Sequence, residues 1–192
     1  MLTTGHIAAS YLISQSTQKN RQSLTAIDIL FVILCGNIFD LDFVIPPLFG
    51  IPGGIHHSLP THTPLAGLII FALLYLALKN KFSKRVFVLA GVAMLSHLLL
   101  DDLNYFLGLL GLDKGSAILP QIQWEYPFNF GRKQSLIDAI RYYQQNPTNN
   151  AEVLNIYLKS KLLVIEIVTI IIALFVLLRH KLKHKLVNQN SR

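Results

Sequence analysis

Histidines and aspartates, residue types that bind metal ions, occur in four groups along the first 101 residues of the chain. A lone histidine comes first, and the later groups lie close to the ends of apolar stretches. The residues are His6, Asp40, Asp42, His57, His62, His97 and Asp101. Imidazole nitrogens and carboxylate oxygens are common ligands of zinc and manganese. The residue types therefore indicate a divalent metal site, provided that the fold brings the four groups together.

The spacing of these residues also suits a metal site. His97 and Asp101 are four residues apart, so they share one face of a helix and form a ligand pair. Asp40 and Asp42 are two residues apart and cannot both point inward from a regular helix, so they fit a helix end, where the backbone unwinds. About seven candidate ligands exceed the ~4 that tetrahedral zinc takes. Two metal ions, or one ion with surrounding carboxylates, remain alternatives.

The composition places these residues in a membrane protein. Of 192 residues, 52% are hydrophobic and 14% are charged, whereas a typical soluble domain carries about 25% charged residues. The formal net charge is +7. Because the basic residues form short clusters beside apolar segments and do not cover one soluble surface, we predict no nucleic-acid binding. The single cysteine, Cys35, lies in an apolar stretch, where we predict a packing residue.

Five apolar segments can form helices in a bilayer, which takes ~20 residues per crossing. The first is shorter and more polar, and it can span, enter part way or lie at the interface. The segments are Thr4–Ser14, Ala26–Ile45, Pro64–Leu78, Val86–Leu110 and Leu162–Leu178. Thr61 or Thr63 can cap the third, which begins with Pro64. We predict an all-α integral membrane bundle with four or five transmembrane helices.

Basic connectors indicate how this bundle is oriented. The connectors Ser16–Ser23 and Lys79–Arg85 and the tail after Leu178 are rich in Lys and Arg, so the positive-inside rule places all three in the cytoplasm. The connectors Pro46–Thr63 and Gly111–Ser160 then face outward. Because consecutive helices alternate in direction, every group of candidate ligands falls at the outer end. We therefore predict an inner (plasma) membrane protein with an extracytoplasmic metal site and a cytoplasmic C-terminal tail.

The chain length suits one membrane-embedded helical domain over residues 1–192. Residues 1–110 are the predicted metal-site core, residues 111–160 an outer loop, and residues 161–192 the last transmembrane helix with its basic tail. In the outer loop, QSLIDAIRYYQQ at residues 134–145 has apolar residues at helical spacing, which predict a short amphipathic helix.

Individual polar residues also have structural interpretations. His6 can be structural or solvated, and the Asp40–Asp42 pair can cap a helix end. His56 can take the place of the histidine that follows it or be solvated. Asp102 points elsewhere on its helix and can cap that helix or pair locally. Glu166 can reach the site as a base or form a structural hydrogen bond, since ionisable groups inside a membrane need partners.

The four groups stand in motifs whose order is similar to that of a known family. In chain order these motifs are TTGHIAAS, GNIFDLD, HHSLPTHT and LSHLLLDD. This order resembles the YdjM-like membrane-bound metal-dependent hydrolases, a family with LexA-regulated members. The resemblance covers most of the chain up to about Phe128, where WEYPF is a looser match to a Trp-Pro-Phe-like element. It matches the family's histidines and aspartates to His6, Asp40, Asp42, His57, His62, His97 and Asp101.

The chain departs from the family pattern at three positions. Phe39 stands where proline is usual, and Thr63 stands where serine usually follows the second histidine. Ser58 stands where the family often has an arginine, which could hold an anionic substrate group by bidentate bonds. The family is also distantly similar to zinc-dependent phospholipase C proteins, and this likeness implies a phosphoester or lipid substrate.

The combined hypothesis is a metal-dependent hydrolase at the outer membrane face. A bound zinc or manganese ion lowers the pKa of water and so supplies hydroxide at neutral pH. Asp42 would orient a ligand or act as the general base. A lipid or lipid-linked phosphoester can reach such a site sideways from the bilayer. The alternative is a non-enzymatic membrane protein, either a metal-binding or transport module or a bundle held together by its polar cluster. The hypothesis assigns as ligands His6, Asp40, His57, His62, His97 and Asp101.

Overall fold

The computed structural model describes the chain between residues 3 and 190 with several gaps. The described residues are 3–16, 23–48, 57, 59–111, 122, 124–126, 128, 158 and 161–190. All regular secondary structure within these ranges is helical, which confirms the all-α fold class. The helices are α1 (Thr3–Ser16), α2 (Ala26–Gly36), α3 (Ile45–Leu48), α4 (Pro64–Leu78), α5 (Lys84–Asp101), α6 (Leu103–Leu109) and α7 (Lys161–Asn190), with a 3₁₀ helix (Phe39–Val44) between α2 and α3.

Hydroxyl side chains begin three of the helices by accepting a hydrogen bond from the first turn. Thr25 accepts from the backbone N–H of Asp28, whose carboxylate in turn accepts from the N–H of Thr25, so α2 begins with a capping box. Thr63 caps α4 through the N–H of its first turn, and Ser83 caps α5. Thr63, rather than Thr61, is therefore the residue that caps α4.

Helix α5 lies at the centre of the bundle and contacts α1, α2 and α4. Ala90, Ala93 and Met94 of α5 belong to one buried apolar cluster together with Val32 and Cys35 of α2. Cys35 is 2% exposed, which confirms the prediction that it is a packing residue. Helix α1 contacts α2, α5 and α7, so the first and last described helices lie side by side.

Helices α1, α2 and α5 approach one another closely at Gly36. A Cβ atom at this position would lie 2.0 Å from Oγ of Ser10, well inside van der Waals contact, and 3.1 Å from Cβ of Ala93. The Cβ of Ser10 would also lie only 3.0 Å away, so rotation of the hydroxyl alone would not relieve the crowding. Glycine is therefore required for α1 and α5 to pack this closely on the end of α2.

Polar residues end two helices earlier than the apolar segments predict. Helix α2 ends at Gly36, and the side chain of Asn37 donates a hydrogen bond back to the carbonyl of Ile33. Asp102 leaves the helical conformation after α5 and separates α5 from α6. Short polar side chains at such positions compete with the helix for backbone hydrogen bonds. Two predicted segments, the second and the fourth, are consequently each divided into shorter helices.

Helix α7 contains the stretch Leu162–Leu182, whose length and composition suffice to cross a membrane. Within the described ranges it is the only helix that meets this test, and the apolar helices α2 and α4 are shorter, with 11 and 15 residues. Large apolar side chains such as Leu68, Leu73 and Phe175 are nevertheless more than 60% exposed. Exposed apolar surface of this extent requires a non-aqueous neighbour.

The predicted division of the outer loop falls largely on residues that the structure does not describe. The amphipathic helix predicted at residues 134–145 lies outside the described residues. Ile122 and Trp124 are described, and both pack against the core of the bundle.

Candidate metal centre

Helix α5 supplies two candidate ligands one turn apart near its C-terminal end. His97 and Asp101 are 1% and 3% exposed, and Nε2 of His97 lies 3.1 Å from Oδ2 of Asp101. A carboxylate and an imidazole buried this deeply are costly unless other groups compensate for the lost water. The end of α5 is therefore a place where polar groups from other elements must converge.

The carboxylate of Asp101 contacts four histidine rings from three parts of the chain, namely α1, the segment before α4, and α5 itself. Its Oδ1 lies 2.9 Å from Nε2 of His6. Its Oδ2 lies 3.0 Å from Nε2 of His62 and 3.5 Å from Nε2 of His57. Together with the contact to His97, these distances show that three of the four groups of candidate ligands meet at Asp101.

The hydrogen bond at Nδ1 fixes the role of the other ring nitrogen of His97. Nδ1 lies 2.9 Å from the carbonyl oxygen of Gly36, and because a carbonyl only accepts, Nδ1 is the donor. In the neutral ring Nε2 then carries a lone pair. This atom faces Oδ2 of Asp101 at 3.1 Å and Oδ1 of Asp40 at 3.5 Å, and it has no hydrogen-bond partner among the described residues. A lone pair among carboxylate oxygens requires a cation, either a metal ion or a proton.

The 3₁₀ helix after α2 brings both aspartates of the DLD motif to the site. A 3₁₀ helix has about three residues per turn, so positions 40 and 42 diverge by about 120° instead of the about 160° of an α-helix. The side chains of Asp40 and Asp42 are 15% and 6% exposed. Asp40 reaches His97, and Asp42 reaches His62. The sequence-based prediction of an unwound helix end at this motif is confirmed.

Asp42 holds the ring of His62 from the side opposite to Asp101. Oδ2 of Asp42 lies 3.2 Å from Nδ1 of His62 and accepts a hydrogen bond of 2.7 Å from the hydroxyl of Thr61. Burial alone lowers the pKa of His62, but its bonds to Asp101 and Asp42 outweigh burial and raise the pKa above the ordinary histidine value. Oδ1 of Asp42 is buried and has no hydrogen-bond partner within the described part of the chain.

The candidate ligands form two sets of three residues. In each set one ligand atom from each residue lies within 4.8 Å of the other two. The first set is His6, Asp40 and His97, and the second is His57, His62 and Asp101. Neither set shares a residue with the other. Both sets have the imidazole and carboxylate chemistry that binds zinc or manganese.

Helix α1 brings His6 into the site through its contacts with α2, α5 and α7. The ring of His6 stacks on that of His97, with ring centroids 3.9 Å apart and an angle of 27° between the planes. Two residues earlier, the hydroxyl of Thr4 donates a hydrogen bond of 2.7 Å to Oε1 of Glu166 on α7. Glu166 is buried, and the sequence allowed it to act either as a base or in a structural hydrogen bond. The bond from Thr4 supports the structural role.

Asp102 turns away from the ligand cluster and holds the segment with Ile122 and Trp124 against the end of α5. Its carboxylate accepts hydrogen bonds from the backbone N–H of Ile122 and from the indole N–H of Trp124. The ring of Trp124 also packs against Phe106 of α6. The sequence left capping and local pairing open for Asp102, whereas the structure gives it partners 20 and 22 residues away.

Three contributors to the site were missed by sequence reasoning. Phe39 is 2% exposed, and its ring centroid lies 5.4 Å from those of both His62 and His97. Its position directly before the DLD motif was the feature of the sequence that could have identified it. Thr61, which bonds to the site, lies between two predicted ligands and was considered only as a cap. The role of the Gly36 carbonyl could not be identified from the sequence, because every residue has a backbone carbonyl.

Two positions next to the site are outside the described residues. His56, the alternative to His57, is one of them. Ser58, which stands where the related motif often has arginine, is the other.

The comparisons with known proteins place the chain in a family. The model of the YdjM inner membrane protein family matches residues 1–185. A search of curated proteins finds no match, and neither does a search of solved structures. The family match extends past the four motifs to include most of α7. Since it covers nearly the whole chain, the chain belongs to the YdjM family of inner membrane proteins.

Proposed function

We propose that this inner membrane protein is a metal-dependent hydrolase whose cation is held by the cluster at the end of α5. The observation that supports this most directly is the environment of His97. Its Nδ1 donates to the carbonyl of Gly36, so its Nε2 directs a lone pair at carboxylate oxygens of Asp101 and Asp40. A divalent ion at this place satisfies the nitrogen and both carboxylates at once.

The donor set fits such an ion by chemistry and by support from its surroundings. Histidine ligands of metals usually donate their other ring N–H to a carbonyl or carboxylate, which fixes the tautomer and the orientation of the ring. Two rings meet this expectation: His97 bonds to the carbonyl of Gly36, and His62 bonds to Asp42. The proposed ligands are His6, Asp40, His57, His62, His97 and Asp101.

When bound, a zinc or manganese ion activates water near neutral pH and polarises the oxygen atoms of an ester. The protein's own contribution to the reaction comes from the carboxylate of Asp42. Its Oδ2 holds His62 in position, while its buried Oδ1 can take a proton from the attacking water. His57 and Asp40 have the most exposed side chains of the proposed ligands, at 18% and 15%, so substrate approaches from their side.

The proposed substrate is a phosphoester, on a lipid or linked to one, at the outer membrane face. We propose the outer face because Lys- and Arg-rich stretches occur at the other end of α5 and in the C-terminal tail, and such stretches usually lie in the cytoplasm. We propose four or five membrane-crossing helices in one domain, with α7 the clearest of them. The exposed apolar side chains of α4 and α7 suit direct contact with lipid, and a lipid substrate can enter between helices.

A non-enzymatic role is the alternative, and one observation favours it. Four histidines contact a single aspartate directly, and these contacts tie α1, α5 and the segment before α4 together. The cluster would then stabilise the bundle, with or without a metal ion, and turn over no substrate.

Metal analysis of the purified full-length protein in detergent tests the proposal. We expect near-stoichiometric zinc or manganese in the wild type and in His180→Ala, and clearly less bound metal in His97→Ala. His180 is a suitable control because it lies on α7, about 21 Å along the helix from Glu166 at ~1.5 Å per residue.

Turnover is then measured with the metal-loaded protein on synthetic phosphoesters and on phospholipid vesicles, with and without a chelator. Hydrolysis that disappears with the chelator and returns with added metal supports the enzyme. Bound metal without turnover of any ester favours the binding module. If the wild type contains no metal even after reconstitution with zinc and manganese, the enzyme and the binding module are both excluded. The structural role of the cluster then remains.

A further inference from the structure

We infer that the cluster binds two divalent cations, one held by His6, Asp40 and His97 and the other by His57 and His62, with the carboxylate of Asp101 bridging them. The inference rests on the proposed metal-dependent function and specifies the form of its site. The charge of the cluster with two cations also indicates a class of substrate.

The first support is the number and type of donors. The cluster contains four imidazoles and two carboxylates as proposed ligands, whereas zinc bound by histidine takes about four ligands. A single four-coordinate ion would leave two of the six proposed ligands outside its coordination sphere. Ions that accept six ligands, such as magnesium, calcium and manganese, favour sets rich in oxygen over sets dominated by imidazole. A set rich in imidazole therefore divides more naturally between two ions.

The second support is the position of Asp101 between the two ligand sets. Its Oδ1 faces His6, which belongs to the first set, at 2.9 Å. Its Oδ2 faces His62 and His57, which belong to the second set, at 3.0 and 3.5 Å. Oδ2 also lies 3.1 Å from His97 of the first set, so this oxygen borders both sets. A carboxylate with an oxygen on each side is the arrangement of a bridging ligand.

The third support is the electric charge of the cluster. Asp40, Asp42 and Asp101 together carry three negative charges within contact of the histidines. One divalent ion leaves this group with a net charge of minus one, which would repel an anionic substrate. Two divalent ions leave it with a net charge of plus one.

That positive charge bears on substrate recognition. Ser58 stands where an arginine could have held an anionic group. A second cation supplies the missing attraction, and paired metal ions are a recurrent means of holding a phosphoryl group. The two-cation site therefore points to a phosphoester anion as the ligand, in preference to a neutral ester.

Counting bound ions tests the inference on the wild type without any substitution. The purified protein is stripped with a chelator and titrated with Mn²⁺, and bound and free ions are distinguished by electron paramagnetic resonance. We expect two Mn²⁺ ions per chain with an exchange-coupled spectrum, since a shared carboxylate couples the two spins. One ion per chain with an uncoupled spectrum would overturn the inference and leave the proposed metal function intact. No bound ion would overturn both.

Two substitutions, one in each set, test the assignment of the ligands. His6→Ala and His57→Ala should each retain about one ion per chain and lose the coupled signal, whereas His180→Ala should keep two ions and the coupled signal. Two coupled ions retained in both variants would overturn the assignment. Size-exclusion chromatography and circular dichroism establish that each variant is folded before ions are counted.

Discussion

The Nδ1 atom of His97 donates a hydrogen bond of 2.9 Å to the carbonyl oxygen of Gly36, which joins the buried histidine of α5 to the last residue of α2. The same glycine lets Ser10 of α1 approach closely. One backbone position thus fixes the tautomer of a proposed ligand and the packing of three helices. Its substitution should affect both metal affinity and stability.

We expect Gly36→Ala to destabilise the protein by about 1–3 kcal/mol, the usual cost of overpacking a core. The new methyl group would meet Oγ of Ser10 at 2.0 Å, and relief of this clash would move the carbonyl away from His97. Metal affinity should therefore fall as well, by roughly 10–100-fold. Competition with a chromogenic chelator measures the affinity, and unfolding in detergent measures the stability.

Gly91→Ala is the matched control for this substitution. A Cβ atom at Gly91 would lie 3.3 Å from the ring edge of Phe71, on the face of α5 that packs against α4. The ring can shift slightly, so we expect a smaller loss of stability and unchanged metal affinity. Equal metal affinity in Gly36→Ala and Gly91→Ala would contradict the role assigned to the Gly36 carbonyl.

Asp42→Asn should weaken metal binding by about 10–100-fold, the usual effect of removing a carboxylate that orients a histidine ligand. The amide keeps the shape of the side chain but loses the charge that holds the N–H of His62. The dissociation constant for zinc, measured by chelator competition, reports the change.

Asp28→Asn is a suitable control for the aspartate, because it makes the same chemical change in the capping box at the other end of α2. We expect unchanged zinc affinity in that variant. If Asp42→Asn binds zinc as tightly as the wild type, Asp42 does not orient His62 for metal binding.

Thr4→Val should lower the free energy of unfolding by roughly 1 kcal/mol, the scale of side-chain hydrogen bonds between membrane helices. The substitution removes the hydroxyl that donates to Glu166 and so weakens the contact between α1 and α7. Thr169→Val is the control, because Thr169 donates only within α7, to the carbonyl of Ile165. Unfolding in mixed detergent micelles should separate the two variants, and equal losses would refute an inter-helix role for Thr4.

Cysteine labelling tests the proposed orientation. In a Cys35→Ala background, Lys81→Cys places a thiol in the connector before α5, and Glu125→Cys places one in the segment held at the other end of α5. A membrane-impermeant maleimide added to intact spheroplasts should label position 125, and it should label position 81 only after lysis. The reverse pattern would place the metal cluster on the cytoplasmic side.

The convergence of the histidines and aspartates could be predicted from sequence because helix direction alone determines it. Each group lies at the end of an apolar stretch, and alternation of direction brings those ends together. The His97–Asp101 spacing and the unwound turn at Asp40 and Asp42 follow from helix periodicity in the same way.

What could not be predicted depends on individual hydrogen bonds, two of them between residues far apart in the chain. The bond from His97 to Gly36 joins residues 61 positions apart, and the acceptor is a backbone carbonyl that any residue has. The early end of α2 depends on the bond that Asn37 makes within its own turn, and hydropathy does not register such a bond. The partners of Asp102, Ile122 and Trp124, lie in the long connector after α6, whose path the sequence leaves undetermined.

His6 reaches an aspartate that lies 95 residues later in the chain, and this separation has a consequence for biogenesis. When the first helix leaves the ribosome, the acceptor for its histidine has not been synthesised. Helix α1 also carries Ser10 and Ser14, which are buried only in the finished bundle, so a nascent α1 is a weak candidate for stable insertion by itself. Its final position depends on α5, and the proposed cation site is complete only once the two helices have packed together.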